Sequence, residues 1–233
     1  VISALHYIHD LDFVYGDLKP ENVLITEVGH VKLTDFGACR PLTEKAQSAL
    51  KKTSNNVLKS LREGDWRNLT NNDDMSIDSK SVDVVDEDDN DDARIEGTTA
   101  FLPPEVVLGG IPSKSADSWA LGCVFFQCLA GRPPLLDTNE ASTRQRIVTF
   151  ELSSSEAADD DFFLERSGTS SFTQLSKHLI RRLLNKIPSE RPNMSNIAMD
   201  EFFQGKDIFS LHTKPSYRLD AGKVAPSPDA RWS

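Results

Sequence analysis

The stretch from Ser115 to Ala130 constrains the fold most, because a helix drawn through it has no polar face: Trp119, Leu121, Val124, Phe125, Phe126 and Leu129 fall on every side. A helix that is apolar around its whole circumference belongs inside a domain, with other elements packed about it. Gly131-Arg132-Pro133-Pro134 ends it. The sequence also offers the surrounding elements. Val1 to Asp10 reads as a helix with Val1, Leu5 and Ile8 on one face, and a second runs from about Asn139 to Phe150. Ser171-Phe172-Thr173-Gln174 has the capping-box pattern and opens a third, with Leu175, Leu179, Ile180, Leu183 and Leu184 inside. A last helix near Asn193 to Phe203 carries Ile197, Phe202 and Phe203. Strand patterning is confined to Val23-Leu24-Ile25 and Val31-Lys32-Leu33, a hairpin around Glu27-Val28-Gly29-His30 with Gly29 in the turn. The predicted class is mainly α, α+β overall, with short β-hairpins.

Residues 41–93 differ in character. They are polar and rich in Ser, Asn and Asp, and they close on Asp83, Asp86, Glu87, Asp88, Asp89, Asp91 and Asp92. Such a segment buries too little apolar surface to offset its ordering entropy, so a disordered acidic insert is expected. A helix between about Thr43 and Leu61, with Leu50, Val57, Leu58 and Leu61 on one face, is the exception the pattern allows. The run supplies most of the net charge of −10, which argues against a nucleic-acid surface. Cys39, Cys123 and Cys128 form neither a disulfide framework nor a metal spacing, and Cys123 and Cys128 read as core residues. No apolar run reaches membrane-spanning length and no signal peptide is visible. A cytoplasmic location is expected, with the nucleus not excluded by composition. Asn68-Leu69-Thr70 is then a chance sequon. Residues 213–233 read as a loose tail, and Val1 as a point inside a helix whose domain began upstream.

The chemistry is concentrated in Asp17-Leu18-Lys19-Pro20-Glu21-Asn22 and, a dozen residues later, Asp35-Phe36-Gly37. Phosphoryl transfer needs a group to receive the proton of the attacking hydroxyl, a cation beside the moving phosphoryl group, and oxygen ligands for Mg²⁺. Asp17 can supply the first, Lys19 the second, and Asn22 and Asp35 the ligands. The hairpin between the two runs sets Asp35 beside the Asp17 loop.

Further matches follow in order: Gly97-Thr98, Pro104-Glu105, Asp117-Ser118-Trp119-Ala120-Leu121-Gly122 and Arg191. Together they resemble the C-terminal lobe of eukaryotic protein kinases over residues 1–212, the insert excepted. Lys19, two positions after the aspartate, is the serine/threonine-type arrangement. Asp117 to Pro134 looks similar to the phosphoinositide-dependent kinases of the AGC group. The resemblance implies Asp17 as catalytic base, Lys19 as the phosphate-facing cation, and Thr98 bonded to both. It assigns Lys19, Glu21, Asn22 and Asp35 to the nucleotide and its metal, with Asn22 and Asp35 as Mg²⁺ ligands. Glu105 is expected to pair with Arg191, and Asp117 to hold the catalytic-loop backbone. The implied cofactors are ATP and Mg²⁺. The implied partners are protein substrates bearing Ser or Thr, mildly favouring basic ones, and a nucleotide-binding N-lobe of the same chain. Without a Gly-rich loop and strand lysine, this stretch alone is expected to turn over little. The alternative is a pseudokinase or scaffold lobe.

Two departures stand out. Tyr15-Gly16 stands where the family has His-Arg, and that arginine binds a phosphorylated residue in many kinases. Counted from Gly97, the family's phosphoacceptor falls at Arg94, which carries no hydroxyl. Pocket and acceptor are absent together, so no phosphorylation switch is expected there.

Overall fold

A computed structural model describes residues 1–26, 29–62, 99–152, 162–163 and 172–209. The acidic run, Arg94, Gly97, Thr98 and the tail beyond 209 lie outside the described residues. The chain forms α1 (Ile2–Asp10), β1 (Phe13–Val14), β2 (Val23–Ile25), β3 (Val31–Leu33), β4 (Arg40–Pro41) and α2 (Glu44–Arg62). Then come α3 (Pro104–Val107), α4 (Lys114–Ala130), α5 (Glu140–Thr149), α6 (Gln174–Leu183) and α7 (Met194–Ala198), with short 3-10 turns between. Among the described residues, no helix is long and apolar enough to cross a membrane.

α4 is the central helix its composition predicts. Every residue from Ala116 to Val124 is buried, and Trp119, Cys123 and Phe126 have no exposed surface. Full burial of each large apolar side chain contributes about 1.5–3 kcal/mol. α6 crosses α4 through Leu179, Ile180 and Leu183. The crossing is close because position 122 is glycine: a Cβ there would lie 2.8 Å from Leu183 Cβ. Gly131 ends α4 in the left-handed region, φ 79°. Phe126 also anchors an aromatic group with Phe162, Phe163 and Phe172, all within 6.0 Å between ring centroids.

Four expectations are corrected. The α6 cap is Thr173, which accepts from Ser176 N at 3.2 Å, and not Ser171, which lies outside the described residues. Its buried stripe therefore starts at Ser176, and Leu175 is exposed. The last helix is broken: α7 stops at Ala198, and Asp200 accepts from Phe202 N at 2.9 Å to start a separate 3-10 turn, Glu201–Phe203. Cys123 is core but Cys128 is exposed, since five residues along a helix turn it toward another side. The helix that the pattern allowed between about Thr43 and Leu61 is present, from Glu44 to Arg62: Thr43 caps it through Ala46 N and Ala46 packs inward.

Both strand pairs are antiparallel. β2 and β3 pair Val23 with Leu33 and Ile25 with Val31, and Gly29 turns at φ 82°. β1 and β4 pair Phe13 with Pro41 and Val14 with Arg40, a ladder too short to carry an alternating pattern.

Candidate active site

The site is built outward from α4. Asp117, in its first turn, is 1% exposed, a position where the helix N-terminus favours a carboxylate. Its oxygens accept from Tyr15 N at 2.9 Å, Gly16 N at 2.9 Å and His9 Nε2 at 2.7 Å. Two successive backbone amides just before Asp17 are thus tied to the core. Gly16 has φ 82°, and a Cβ on it would meet Ala38 O at 2.9 Å, so the glycine lets the two loops touch backbone to backbone.

Asp17 follows in a half-enclosed setting. Its Oδ2 accepts from Lys19 Nζ at 2.7 Å and from Asn22 Nδ2 at 3.0 Å. Asn22 Nδ2 also donates to Asp17 O at 2.8 Å. The other oxygen, Oδ1, is buried and has no hydrogen-bond partner among the described residues. Buried polar atoms are nearly always paired, so Oδ1 is open to a partner beyond the described residues, Thr98 or a substrate hydroxyl. Asp17 borders a narrow cavity of about 20 Å³, whose walls include Phe101, Pro103 and Ala120.

The hairpin brings the second run alongside. Asn22 O accepts from Thr34 N at 3.0 Å, and the Tyr15 hydroxyl donates to Thr34 O. Asp35 comes next, at φ 55°, a conformation that aspartate tolerates better than most residues. Its Oδ1 accepts from Gly37 N at 3.1 Å, and Phe36 sits edge-on to Tyr15 at 5.5 Å. Tyr15 has no exposed surface. Burial, then the negative charges of Asp17 and Asp35, push its hydroxyl up to about 12. It therefore stays a donor.

The donors fit Mg²⁺. Both bonds from Asn22 to Asp17 use its amide nitrogen, so its Oδ1 is left for a cation, and Asp35 adds a carboxylate. One amide and one carboxylate, completed by phosphate and water oxygens, is how proteins hold this ion. Among the described residues no group of three or more His, Cys, Asp or Glu could hold a metal without such help.

Farther out, Arg191 grips Glu105 with two bonds, Nη1 to Oε1 at 2.7 Å and Nη2 to Oε2 at 2.8 Å. Its side chain is fully buried and also donates to Asn185 O and Ser115 O. Glu21 is exposed on the 3-10 turn Pro20–Asn22. Thr98 lies outside the described residues. Two contributors escaped the sequence reading: His9 and the Tyr15 hydroxyl. His9 left a signal, since it extends the buried Leu5, Ile8 face of α1.

The family model for the protein kinase domain matches residues 1–59 and 81–203. This chain belongs to the protein kinase family. The match is interrupted over residues 60–80, a narrower gap than the compositional insert of 41–93. Among similar kinases, the 3-phosphoinositide-dependent protein kinase 1 of Arabidopsis thaliana is 29% identical over 98% of this chain and 38% of its own length. The protein of that name from Caenorhabditis elegans is 27% identical over 99% of this chain and 36% of its own length. The serine/threonine-protein kinase OXI1 of Arabidopsis thaliana is 30% identical over 98% and 52% respectively. The chain thus spans about half or less of these kinases.

Proposed function

We propose that these residues form the catalytic lobe of a serine/threonine protein kinase, transferring the ATP γ-phosphate to hydroxyls of protein substrates. The observation that carries this reading is the Asp17 carboxylate, whose Oδ2 is engaged by Lys19 and Asn22 while its buried Oδ1 has no partner among the described residues. A carboxylate held by one oxygen presents the other in a fixed direction. As the substrate oxygen bonds to phosphorus and the bond from phosphorus to the bridging oxygen breaks, Oδ1 receives the hydroxyl proton. Lys19, already 2.7 Å from Asp17, lies within reach of both the base and the phosphoryl charge. Asn22 Oδ1 and Asp35 are the residues that would hold Mg²⁺, which neutralises charge on the nucleotide phosphates when bound. Asp117 and His9 fix the loop, and the Arg191–Glu105 pair braces the residues after the Thr99–Phe101 turn.

The serine/threonine class rests on Lys19 and on the printed names of the kinases above. The cytoplasm is the proposed location, where Cys39 stays a thiol. The scaffold alternative has no observation in its favour. Asp17→Asn in the full-length protein keeps the shape and removes the base, so kcat is expected to fall about 10²–10⁴-fold with folding intact. Equal phosphotransfer by wild type and variant defeats the proposal.

A further inference from the structure

The 3-10 turn Thr99–Phe101 is buried, and Phe101, Leu102 and Pro103 wall the cavity that Asp17 borders. The turn thus forms part of the wall beside Asp17. A side-chain bond ties it to an element on the other side: Thr99 Oγ1 donates to Glu140 Oε1 at 3.2 Å. Glu140 is the first residue of α5, directly after the Asn139 cap, where the helix N-terminus favours its charge. Arg144, one turn along, donates to the same oxygen from Nε at 2.9 Å and Nη2 at 2.6 Å. Bonding to Arg144 holds the Glu140 carboxyl below its ordinary range, so it remains an anionic acceptor. Arg144 thus orients Glu140, and Glu140 holds Thr99.

We propose that Glu140 is a positioning residue for the protein substrate: through Thr99 it sets the turn along which the acceptor segment lies, without touching nucleotide or the reacting atoms. This rests on the kinase reading above. The expected signature is a loss in substrate affinity separable from chemistry. α5 buries Thr143 and Ile147, while Glu140 lies at its N-terminus, paired with Arg144 and reaching across to Thr99.

The test uses full-length Thr99→Val, Glu140→Ala, Glu140→Gln and the Thr99→Val/Glu140→Ala double variant. The substrate is one phosphoacceptor peptide selected from a degenerate serine/threonine pool. Thr99→Val and Glu140→Ala are expected to raise the peptide KM about 3- to 10-fold, with kcat and the ATP KM within about twofold. The double variant should be no worse than Glu140→Ala, because the two residues act as a unit. Glu140→Gln, whose amide oxygen still accepts from Thr99, should stay near wild type. Amide exchange at Leu102, whose N–H bonds to Thr99 O at 3.1 Å, should speed up in Thr99→Val and Glu140→Ala without any ligand. That arm reads the tether even if Asp17→Asn and wild type prove equally silent and the kinase reading fails. Additive losses, a fall in kcat at constant peptide KM, or unchanged Leu102 exchange would each overturn the proposal.

Discussion

Asp117→Asn, set against Asp117→Ala, probes the structural base of the catalytic loop. The carboxylate accepts three bonds, from Tyr15 N, Gly16 N and His9 Nε2. Asparagine retains one accepting oxygen. If that oxygen faces Gly16, the new NH₂ meets the Tyr15 N–H; if it faces Tyr15, the NH₂ meets the Gly16 N–H. His9 adapts either way, because a neutral imidazole can accept at Nε2 when Nδ1 carries the proton. One backbone donor is therefore orphaned in both orientations, at a cost of about 1–3 kcal/mol. Alanine orphans both amides and the imidazole, which raises the cost to about 3–6 kcal/mol. That is a large part of the stability of a typical domain, about 5–15 kcal/mol. With a urea slope of about 2 kcal/mol/M, asparagine should lower the midpoint by about 0.5–1.5 M and alanine by more. Far-UV circular dichroism at 25 °C follows both, and kcat should fall in the same order. A midpoint for Asp117→Ala within about 0.25 M of wild type, equivalent to about 0.5 kcal/mol and the range of an ordinary surface change, refutes the reasoning.

Gly16→Arg is expected to destabilise: a left-handed φ costs an L-residue about 1–2 kcal/mol, and the Cβ adds a 2.9 Å contact with Ala38 O. Phosphatase treatment should leave the activity of both wild type and this variant unchanged; phosphate-dependent activity in either sinks the idea that no switch operates here. Gly122→Ala overpacks the α4–α6 crossing, where Leu183 Cβ would stand 2.8 Å away, and should cost about 1–3 kcal/mol by thermal melt. An unchanged Tm would mean the crossing is looser than described. The Tyr15 hydroxyl, raised to about 12 from 10.0, binds its proton more tightly folded than unfolded. Its contribution is therefore complete below pH 10 and is lost as pH climbs toward 12, at up to about 1.4 kcal/mol per unit. The stability gap between wild type and Tyr15→Phe should hold nearly constant from pH 8 to 9 and shrink by about 1 kcal/mol between pH 10 and 11 in urea titrations. A gap still constant at pH 11 contradicts the assignment.

What the sequence revealed of the site was the part built from near neighbours. Gly29 and two alternating runs place Asp35 beside Asn22 without any long-range knowledge. α4 announces its burial because every side is apolar. The His9–Asp117 bond spans 108 positions and the Thr99–Glu140 bond 41, and neither leaves a periodic trace. The cap of α6 was misplaced because Ser171 and Thr173 are both good caps. The buried stripe Ser176, Leu179, Ile180, Leu183 decides between them only once the helix is packed.

The two-residue ladder of β1 and β4 has a consequence for how a chain like this can drift over generations. Pairing Val14 with Arg40 closes a ring, and Asp17, Lys19, Asn22 and Asp35 all belong to it. The connection from residue 63 to residue 98 lies outside that ring. Closure entropy rises by only about 0.6 kcal/mol for each doubling of a connection's length. Insertions, deletions and charge changes can accumulate in the part the family match skips, residues 60–80, while the spacing of the four candidate site residues is inherited intact.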